Sequence, residues 1–203
     1  MEKLYRMLLT TLLFLPLAGA VASCSEQTDE EADEYANWQQ RNEQYVETLS
    51  TKYQRLKNYT KDQQAEGAAA DYIYYEVLEQ GRGSTDSPLF TDSVRISYRG
   101  RLIPTTNYPE GYVFDQTFAG TFSWETTSTI TGPASGFVEG FTTALLHMHT
   151  GDRWRIYIPH QLGYGTTDKT SIPAYSTLVF DLALVDFRHQ GQKLPTWNAR
   201  RAQ

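Results

Sequence analysis

The 203-residue sequence predicts an α+β domain in which an antiparallel β-sheet wraps around one short helix, preceded by a helical N-terminal segment. Three observations support this fold class. From Tyr72 onward, several segments alternate apolar and polar residues, which is typical of strands with one buried face. Residues 137–148, within that region, carry their apolar residues at helical spacing. Residues 35–56 contain no Gly or Pro and precede the alternating region. A sheet with one helix packed on it is a two-layer α+β domain.

The first 23 residues have the pattern of a secretory signal peptide. Lys3 and Arg6 precede the apolar stretch 8–17, which is too short to be an ordinary membrane-spanning helix. The small residues 21–23 then precede Cys24, and "VASC" resembles a bacterial lipobox, in which the signal is cut before the Cys and the thiol is acylated. The alternative is an ordinary secretory signal followed by a free Cys. We expect Cys24 to carry a lipid that anchors the exported protein to the outer membrane, in the periplasm or at the cell surface.

An acidic tether is expected to follow the lipidated cysteine, over residues 24–34. Six of the ten residues in "SEQTDEEADE" are acidic, and such a run stays solvated and extended. An acidic run directly behind a lipobox also resembles the surface-export signals of some Bacteroidetes lipoproteins.

A helical spacer is expected over residues 35–66, with the helix itself over residues 35–56. One stripe of that helix carries the apolar residues, and polar Asn42 interrupts it. Three roles are open for this helix: packing on the following domain, spacing the domain from its anchor, and pairing with another copy. Asn42 and Lys52 disfavour a coiled-coil seam, so packing or spacing is favoured. The apolar residues of the stripe are Tyr35, Trp38, Tyr45, Leu49 and Leu56.

The main domain is expected to span residues 70–188. In the first strand, Ile73, Tyr75 and Val77 share one face. Three further strands have their inward residues at Val94, Ile96 and Tyr98, at Trp154, Ile156 and Ile158, and at Leu178, Phe180, Leu182 and Leu184. The short helix carries Phe141, Leu145 and Met148 on one stripe. The C-terminal tail, residues 189–203, has no periodicity and no assigned structure.

Composition excludes several classes of function. The net charge of −6 argues against a nucleic-acid partner, which requires clustered Lys and Arg. Because Cys24 is the only cysteine, no intramolecular disulfide and no cysteine-based zinc site can form. His147 and His149 form an HxH pair without an evident third ligand, so we expect no metal and no cofactor.

Five motifs, taken in order, resemble the FKBP-type peptidyl-prolyl isomerases. The resemblance covers most of residues 72–187, and its motifs occur in the family's order. They are "VRISYRGRL", "YVFDQTF", "FVEGF" followed by "LLHMHTGDRWRIYIP", "LGYG", and "IPAYSTLVFDLAL".

The resemblance implies an apolar pocket that holds the proline ring of a polypeptide substrate. The residues that it implies for catalysis are Tyr98, Phe114, Asp115, Val138, Tyr164 and Phe180. The residues that it implies for substrate binding are Phe137, Phe141 and Ile172. By the same resemblance, the backbone N–H of Val138 is offered to a substrate carbonyl, and Phe141 is the pocket floor, where the family more often has Trp.

Two segments that are longer than is usual in the family flank the implied pocket and are candidates for narrowing it. They are "IPTTNYPEGY", residues 103–112, and "TTSTITGPAS", residues 126–135. The Arg that commonly follows the Phe-Asp pair is also absent, because the sequence there is "QTFAGTF".

The leading hypothesis is therefore a lipid-anchored prolyl isomerase that assists the folding of exported proteins. Its reaction requires no nucleophile, because an apolar site that removes water favours the twisted amide over the planar one. The alternative is a non-catalytic module that binds Pro-containing or unfolded segments as a chaperone. A third hypothesis is a surface lipoprotein that uses the fold only as a scaffold.

Overall fold

The computed structural model describes residues 34–82 and 85–197. The expected signal peptide, Cys24 and nearly all of the acidic tether lie outside the described residues. The helices and strands, in chain order, are α1 (Trp38–Lys52), β1 (Gln54–Lys57), β2 (Tyr72–Glu79), β3 (Ser93–Arg101), β4 (Val113–Gln116), β5 (Ile130–Pro133), α2 (Glu139–Leu145), β6 (Arg153–Ile158) and β7 (Leu178–Arg188). Short 3₁₀ helices occupy Ala69–Asp71, Ala134–Gly136 and His160–Leu162.

Within the described residues, the seven strands form one antiparallel sheet in the order β1-β2-β6-β7-β3-β4, with β5 paired to the far end of β3. The predicted α+β fold is confirmed. The longest strand, β7, lies between β6 and β3 and is buried over Leu178–Val185. Such a strand contacts apolar groups on both of its faces, so its continuous apolar sequence reflects a position in the middle of the sheet.

Helix α2 packs on the inner face of the sheet. Phe141, Leu145 and Met148 are all at most 2% exposed, as their helical spacing predicts. Gly140 brings the helix close to β6, because a Cβ at this position would lie 2.4 Å from Cγ2 of Ile158. Even an alanine here would push the helix away from the sheet.

Helix α1 is shorter than the sequence predicts. It ends at Lys52, whereas the apolar stripe predicted helix as far as residue 56. Tyr53 has extended backbone angles and stacks on Tyr157, with ring centroids 4.7 Å apart. The following residues form β1, in which Leu56 lies opposite Ile73. The predicted boundary is wrong because Leu56 belongs to the edge of the sheet and not to the helical stripe.

The outer face of the sheet carries a second, smaller core beneath α1. Val46 and Leu49 of the helix pack with Tyr74, Tyr157 and Val179 of the sheet. The predicted inward face of β2 is therefore only partly correct: Tyr74 is fully buried, whereas Val77 is 47% exposed. Because α1 covers one half of this face, β2 buries residues of both parities there. The helix thus packs on the domain that follows it.

Asn42 connects α1 to the loop that precedes β7. Its Nδ2 donates to the carbonyl of Trp38 (2.8 Å), and its Oδ1 accepts from the backbone N–H of Thr177 (2.7 Å). Asn42 and Thr177 are both fully buried. The polar residue that interrupts the apolar stripe therefore accepts from a buried backbone donor, which is costly to leave unsatisfied.

We expect Asn42→Leu to lower the free energy of unfolding by about 1 to 3 kcal/mol, although it adds apolar surface, because the Thr177 N–H loses its acceptor in the interior. Urea denaturation would measure this loss. Gln44→Leu, on the exposed side of the same helix, is the control and should change stability by less than about 0.5 kcal/mol. Equal stability of Asn42→Leu and the wild type would contradict the assigned role.

The C-terminal tail is held to the domain by an imidazole between two carboxylates. His189 Nδ1 lies 2.8 Å from Oδ2 of Asp92, and its Nε2 lies 3.2 Å from Oδ2 of Asp86. Asp92 is 1% exposed and also accepts the N–H of Leu89. The hydrogen bonds to Asp92 and Asp86 raise the pKa of His189 above its ordinary value.

This shift predicts a pH-dependent contribution to stability. A raised pKa means that the folded state favours protonated His189, so the stabilisation is fully present below the ordinary value of about 6.5. It is lost as the pH rises through the raised pKa. The difference in thermal midpoint between the wild type and His189→Gln should therefore shrink over that window. A difference that is constant with pH, or that matches His147→Gln, would contradict the assignment.

No helix in the described parts of the chain, 34–82 and 85–197, has the length and apolar character required to span a bilayer.

Candidate active site

An apolar pocket of about 530 Å³ opens at the end of the sheet where β3, β4 and β7 meet the start of α2. All nine residues that the sequence resemblance implies for catalysis or substrate binding line it, together with one residue that the sequence analysis did not name, Gly136. The lining residues are Tyr98, Phe114, Asp115, Gly136, Phe137, Val138, Phe141, Tyr164, Ile172 and Phe180. The structure thus brings the whole set together in one pocket.

Phe180 is the centre of the aromatic lining. Its ring makes edge-to-face contacts with Tyr98, Phe114 and Phe141, at centroid distances of 5.8, 5.5 and 5.0 Å. Phe137 stacks on Phe141 at 4.8 Å and extends the aromatic surface toward the rim. Edge-to-face pairs fix the orientation of each ring, so the cavity has a defined shape before any ligand binds.

A β-bulge directs two consecutive side chains of β4 toward the pocket. Asp115 lies opposite Gly100 of β3, but Arg101 lies opposite Val113, so Phe114 is the extra residue between the two pairs. Bulges change the direction of side chains that strict alternation would place on opposite faces. Phe114 and Asp115 consequently both line the pocket.

The polar chemistry of the pocket is concentrated in one short hydrogen bond. The hydroxyl of Tyr98 donates to Oδ2 of Asp115 at 2.6 Å. Burial, and then this hydrogen bond and the charge of Asp115, raise the pKa of Tyr98 well above its ordinary value. Tyr98 therefore remains a protonated donor across the physiological range, and its hydroxyl orients the carboxylate at the edge of the apolar cavity.

Gly100 allows the rings to approach the sheet. It pairs with Asp115 on one side and with Phe180 on the other. A Cβ at this position would lie 2.6 Å from carbons of both Phe114 and Phe180, which is closer than any side chain tolerates. The glycine in "YRGRL" is thus required for the pocket, and its place in a strand interior was the sequence signal for such a close approach.

The rim of the pocket is formed by Val138 and Tyr164. Val138 lies just before α2, where its carbonyl accepts the N–H groups of Phe141 and Thr142. Its own N–H donates no hydrogen bond within the described residues. Tyr164, which is 39% exposed, follows the 3₁₀ helix His160–Leu162. Two polar donors thus lie at the mouth of an otherwise apolar cavity.

The loop that carries Tyr164 is closed by backbone hydrogen bonds. The N–H of Gly165 donates to the carbonyl of His160 (2.8 Å), and the carbonyl of Gly165 accepts from the N–H of Tyr175 (2.9 Å). Gly165 has a φ of +63°, a conformation that favours glycine. Gly165, the second glycine of "LGYG", therefore fixes the position of Tyr164, which lies between the two glycines.

Neither of the two long segments narrows the pocket, contrary to the expectation from their lengths. Residues 130–133 form β5, which pairs with Ser93–Ile96 at the far end of β3. Residues 103–112 fold back beside β4, and neither segment contributes a residue to the pocket lining. The additional length is accommodated in a strand and in a separate loop, so the pocket is open to a ligand.

The described residues contain no group of three or more His, Cys, Asp or Glu side chains arranged to hold a metal ion. Nδ1 of His147 donates to the carbonyl of Thr143, four residues earlier, which agrees with a position just past the end of α2. In the pocket, Asp115 is the only lining residue with a charged side chain.

Comparisons with known proteins match this domain to one family. The family model for FKBP-type peptidyl-prolyl cis-trans isomerases matches residues 85–185. The FKBP-type 22 kDa peptidyl-prolyl cis-trans isomerase of Escherichia coli (strain K12) is 36% identical over 115 residues, which are 56% of this chain and 49% of that protein. The macrophage infectivity potentiator of Trypanosoma cruzi is 33% identical over 121 residues, which are 59% of this chain and 55% of that protein.

Solved structures agree with these matches. The crystal structure of FkpA from Escherichia coli superposes with a TM-score of 0.55 and 25% identity, over 80% of this chain and 64% of that chain. A peptidyl-prolyl cis-trans isomerase from Pseudomonas syringae pv. tomato has the same fold, with a TM-score of 0.55 and 22% identity over 76% of this chain and 96% of that chain.

The fold and the pocket are those of an FKBP-type domain. Residues 85–185 match the family of FKBP-type peptidyl-prolyl cis-trans isomerases, so this domain of the chain belongs to that family. It spans about half the length of the two curated relatives described above.

Proposed function

We propose that this protein catalyses the cis-trans isomerisation of Xaa–Pro bonds in polypeptides. The observation that carries this proposal is the preformed aromatic pocket around Phe180, whose only charged lining group is Asp115. Such a site suits a reaction that makes and breaks no covalent bond. It has room for a pyrrolidine ring, and its floor consists of rings that are nearly excluded from water.

The mechanism follows from the cost of desolvating an amide. Rotation about an Xaa–Pro bond must disrupt the resonance of the amide, against a barrier of about 18 to 20 kcal/mol. The planar amide is more charge-separated than the twisted one, so it loses more hydration when the pocket encloses it. Each preference of roughly 1.4 kcal/mol for the twisted form accelerates the reaction about tenfold.

Three polar groups act on the substrate in this mechanism: two orient it, and one acts through its charge. The Val138 N–H and the Tyr164 hydroxyl, both at the rim, donate to the carbonyls that flank the proline. Asp115, oriented by Tyr98, places a negative charge at the edge of the cavity. Resonance in the planar amide places electron density on the carbonyl oxygen. The nearby negative charge disfavours that density and therefore favours the twisted amide.

The expected biological role is assistance to the folding of exported proteins, from a lipid anchor on Cys24. The lipobox pattern supports this, and α1 packs on the domain directly behind the acidic tether. Metabolic labelling with a radioactive fatty acid tests the anchor. The wild type should incorporate label and partition into detergent, whereas Cys24→Ser should do neither. Equal labelling of the two would show that Cys24 is not the acylated residue.

Refolding of a model protein whose slow phase is limited by proline isomerisation tests the function. Residues 25–203 should accelerate that phase in proportion to catalyst concentration, at catalyst levels far below those of the substrate. A protein that binds without turnover would instead slow refolding or act only at stoichiometric amounts. That second result would replace the isomerase with a non-catalytic peptide-binding module.

A further inference from the structure

A second cavity adjoins the prolyl pocket. Its volume is about 460 Å³, and Ile172 lines both cavities. The remaining lining residues come from the start of the described chain, from the loop after β3 and from the loop before β7: Glu34, Tyr35, Asn107, Tyr108, Tyr112, Asp168, Lys169, Thr170, Ser171 and Pro173. Ile172 is therefore part of the wall between the two cavities, and one extended polypeptide is long enough to contact both.

The loop walls of this cavity are closed by hydrogen bonds within each loop. Lys169 and Ile172 exchange backbone hydrogen bonds across a tight turn, and Asp168 Oδ1 accepts the N–H of Ala174 at 2.8 Å. Across the cavity, the N–H of Thr105 and that of Gly111 both donate to the carbonyl of Tyr108. The long segment after β3 is therefore a closed loop that presents aromatic side chains.

The third wall comes from the N-terminal segment, outside the residues that match the family. Tyr35 packs edge-to-face on Trp38 at 5.0 Å, and Trp38 Nε1 donates to Oγ of Ser176 at 2.9 Å. Arg41 donates to the carbonyl of Glu34 at 2.7 Å. These contacts hold Glu34 and Tyr35 against the loop before β7, so this cavity is a feature of the chain's own N-terminal extension.

The chemistry of the lining favours a cation. Tyr35, Tyr108 and Tyr112 supply aromatic faces, which attract ammonium and guanidinium groups. Glu34 and Asp168 supply two carboxylates, and Glu34 is only 8% exposed. Its Oε1 is buried without a hydrogen-bond partner among the described residues, and an unpaired buried acceptor is costly.

The cavity's own cation does not neutralise these carboxylates. Lys169 forms no ion pair with Glu34 or Asp168, all three of which are described residues. Its Nζ lies instead over the ring of Tyr164, 5.4 Å from the centroid, on the side of the prolyl pocket. Lys169 therefore leaves the carboxylates of Glu34 and Asp168 to a cationic group from outside the chain, beside the ring of Tyr108, which is 42% exposed.

We propose that this cavity is a second substrate subsite, which takes the side chain of a Lys or Arg located within a few residues of the isomerised proline. The inference rests on the proposed function for its choice of ligand, since it assigns both cavities to one polypeptide. It predicts that the protein prefers prolines in basic segments of its substrates.

The experiment measures the affinity of the 25–203 protein for short peptides that contain one proline flanked by alanines. Lysine is placed in turn at each of the three positions on either side of the proline, and norleucine, which has the same stem without the charge, is its matched control. Isothermal titration calorimetry gives each Kd. At one position or more, the lysine peptide should bind about tenfold more tightly than its norleucine counterpart.

Two variants test whether this preference arises in the cavity. Glu34→Gln with Asp168→Asn removes both carboxylate charges, and Tyr108→Leu removes an aromatic face that is already 42% exposed. Each should reduce the preference to less than about threefold. The control is Glu47→Gln with Asp62→Asn, which makes the same change in net charge at exposed positions outside the cavity and should retain the full preference.

Equal binding of lysine and norleucine peptides at every position would overturn the inference, as would a preference that survives in the Glu34/Asp168 variant. Its failure is distinguishable from failure of the proposed function, which is read from the cis-trans exchange rate of the alanine-flanked peptide. Acceleration of that peptide without a lysine preference refutes only the subsite. The protein could instead show a lysine preference that the cavity variants abolish, but no acceleration of cis-trans exchange. That result refutes only the isomerase and leaves the subsite as part of a binding module.

Discussion

Phe180→Ala is expected to lower kcat/KM for prolyl peptides by about a hundredfold, which corresponds to roughly 2.7 kcal/mol of transition-state stabilisation. Phe180 contacts Tyr98, Phe114 and Phe141, so its removal leaves three rings without their common partner and admits water to the pocket. The same change should lower the free energy of unfolding by about 3 to 5 kcal/mol, as is typical of a buried Phe. A coupled peptide assay and urea denaturation measure the two effects.

Phe187→Ala separates loss of the pocket from loss of stability. Phe187 lies on the same strand, is 7% exposed against 6% for Phe180, and lines no part of the pocket. It should cost a similar amount of stability while activity per folded molecule stays within about twofold of the wild type. If both variants lose activity in equal proportion, the loss of Phe180 acts through stability, and the pocket assignment fails.

Asp115→Ala, in contrast to Phe187→Ala, is expected to have a large effect on activity and a small effect on stability. Asp115 is exposed at the edge of the sheet, so its loss should cost less than about 1 kcal/mol of stability. Activity should fall by about tenfold to a hundredfold, since the only charge in the pocket lining is removed and Tyr98 loses its acceptor. Chemical denaturation and steady-state kinetics on the same preparation provide both values.

Tyr98→Phe distinguishes the two ways in which Asp115 can act. If the carboxylate acts on the substrate and Tyr98 only orients it, Tyr98→Phe loses less activity than Asp115→Ala, and the double variant resembles Asp115→Ala. If Asp115 serves only to orient Tyr98, the two single variants and the double variant are equally impaired. Full activity in Asp115→Ala, with the fold intact, would remove Asp115 from the catalytic residues. The matched control, Glu47→Ala on the exposed side of α1, should change neither quantity.

The sequence predicts the sheet well because periodicity records which face of a strand is buried. The strands of the β3 and β6 segments and the helix that carries Phe141 lie where their apolar spacing places them. The faces of β2 are less predictable. Tyr74 is buried because α1 covers the outer face of the sheet, whereas Val77, on the other face and beside the irregularity near the end of the strand, is 47% exposed.

The pocket residues are predictable as a set because their order along the chain resembles a known family. Their geometry is not. That Phe114 and Asp115 both reach the pocket depends on the bulge opposite Gly100, and a bulge is an extra residue in a pairing register that the sequence of β4 alone does not specify. Gly136 lines the pocket through its place before Phe137 and carries no side chain to mark it.

The second cavity was not predictable for a different reason. It combines Glu34 from the predicted tether, Tyr108 from a predicted surface insertion and Asp168 from a loop, three segments far apart in the chain. Only the docking of α1 through Trp38 and Asn42 brings the N-terminal segment beside the pocket. In the sequence, Asn42 only interrupts an apolar stripe. No sequence pattern indicates that its partner is the backbone N–H of Thr177.

The most direct test of the isomerase proposal is the cis-trans exchange rate of a short alanine-flanked Xaa–Pro peptide, measured by NMR exchange spectroscopy with catalytic amounts of the 25–203 protein. Uncatalysed exchange takes tens to hundreds of seconds at 25 °C. We predict that the wild type brings exchange into the range of seconds or faster and that Phe180→Ala returns it close to the uncatalysed rate. An unchanged rate with folded wild-type protein would contradict the proposed catalytic function.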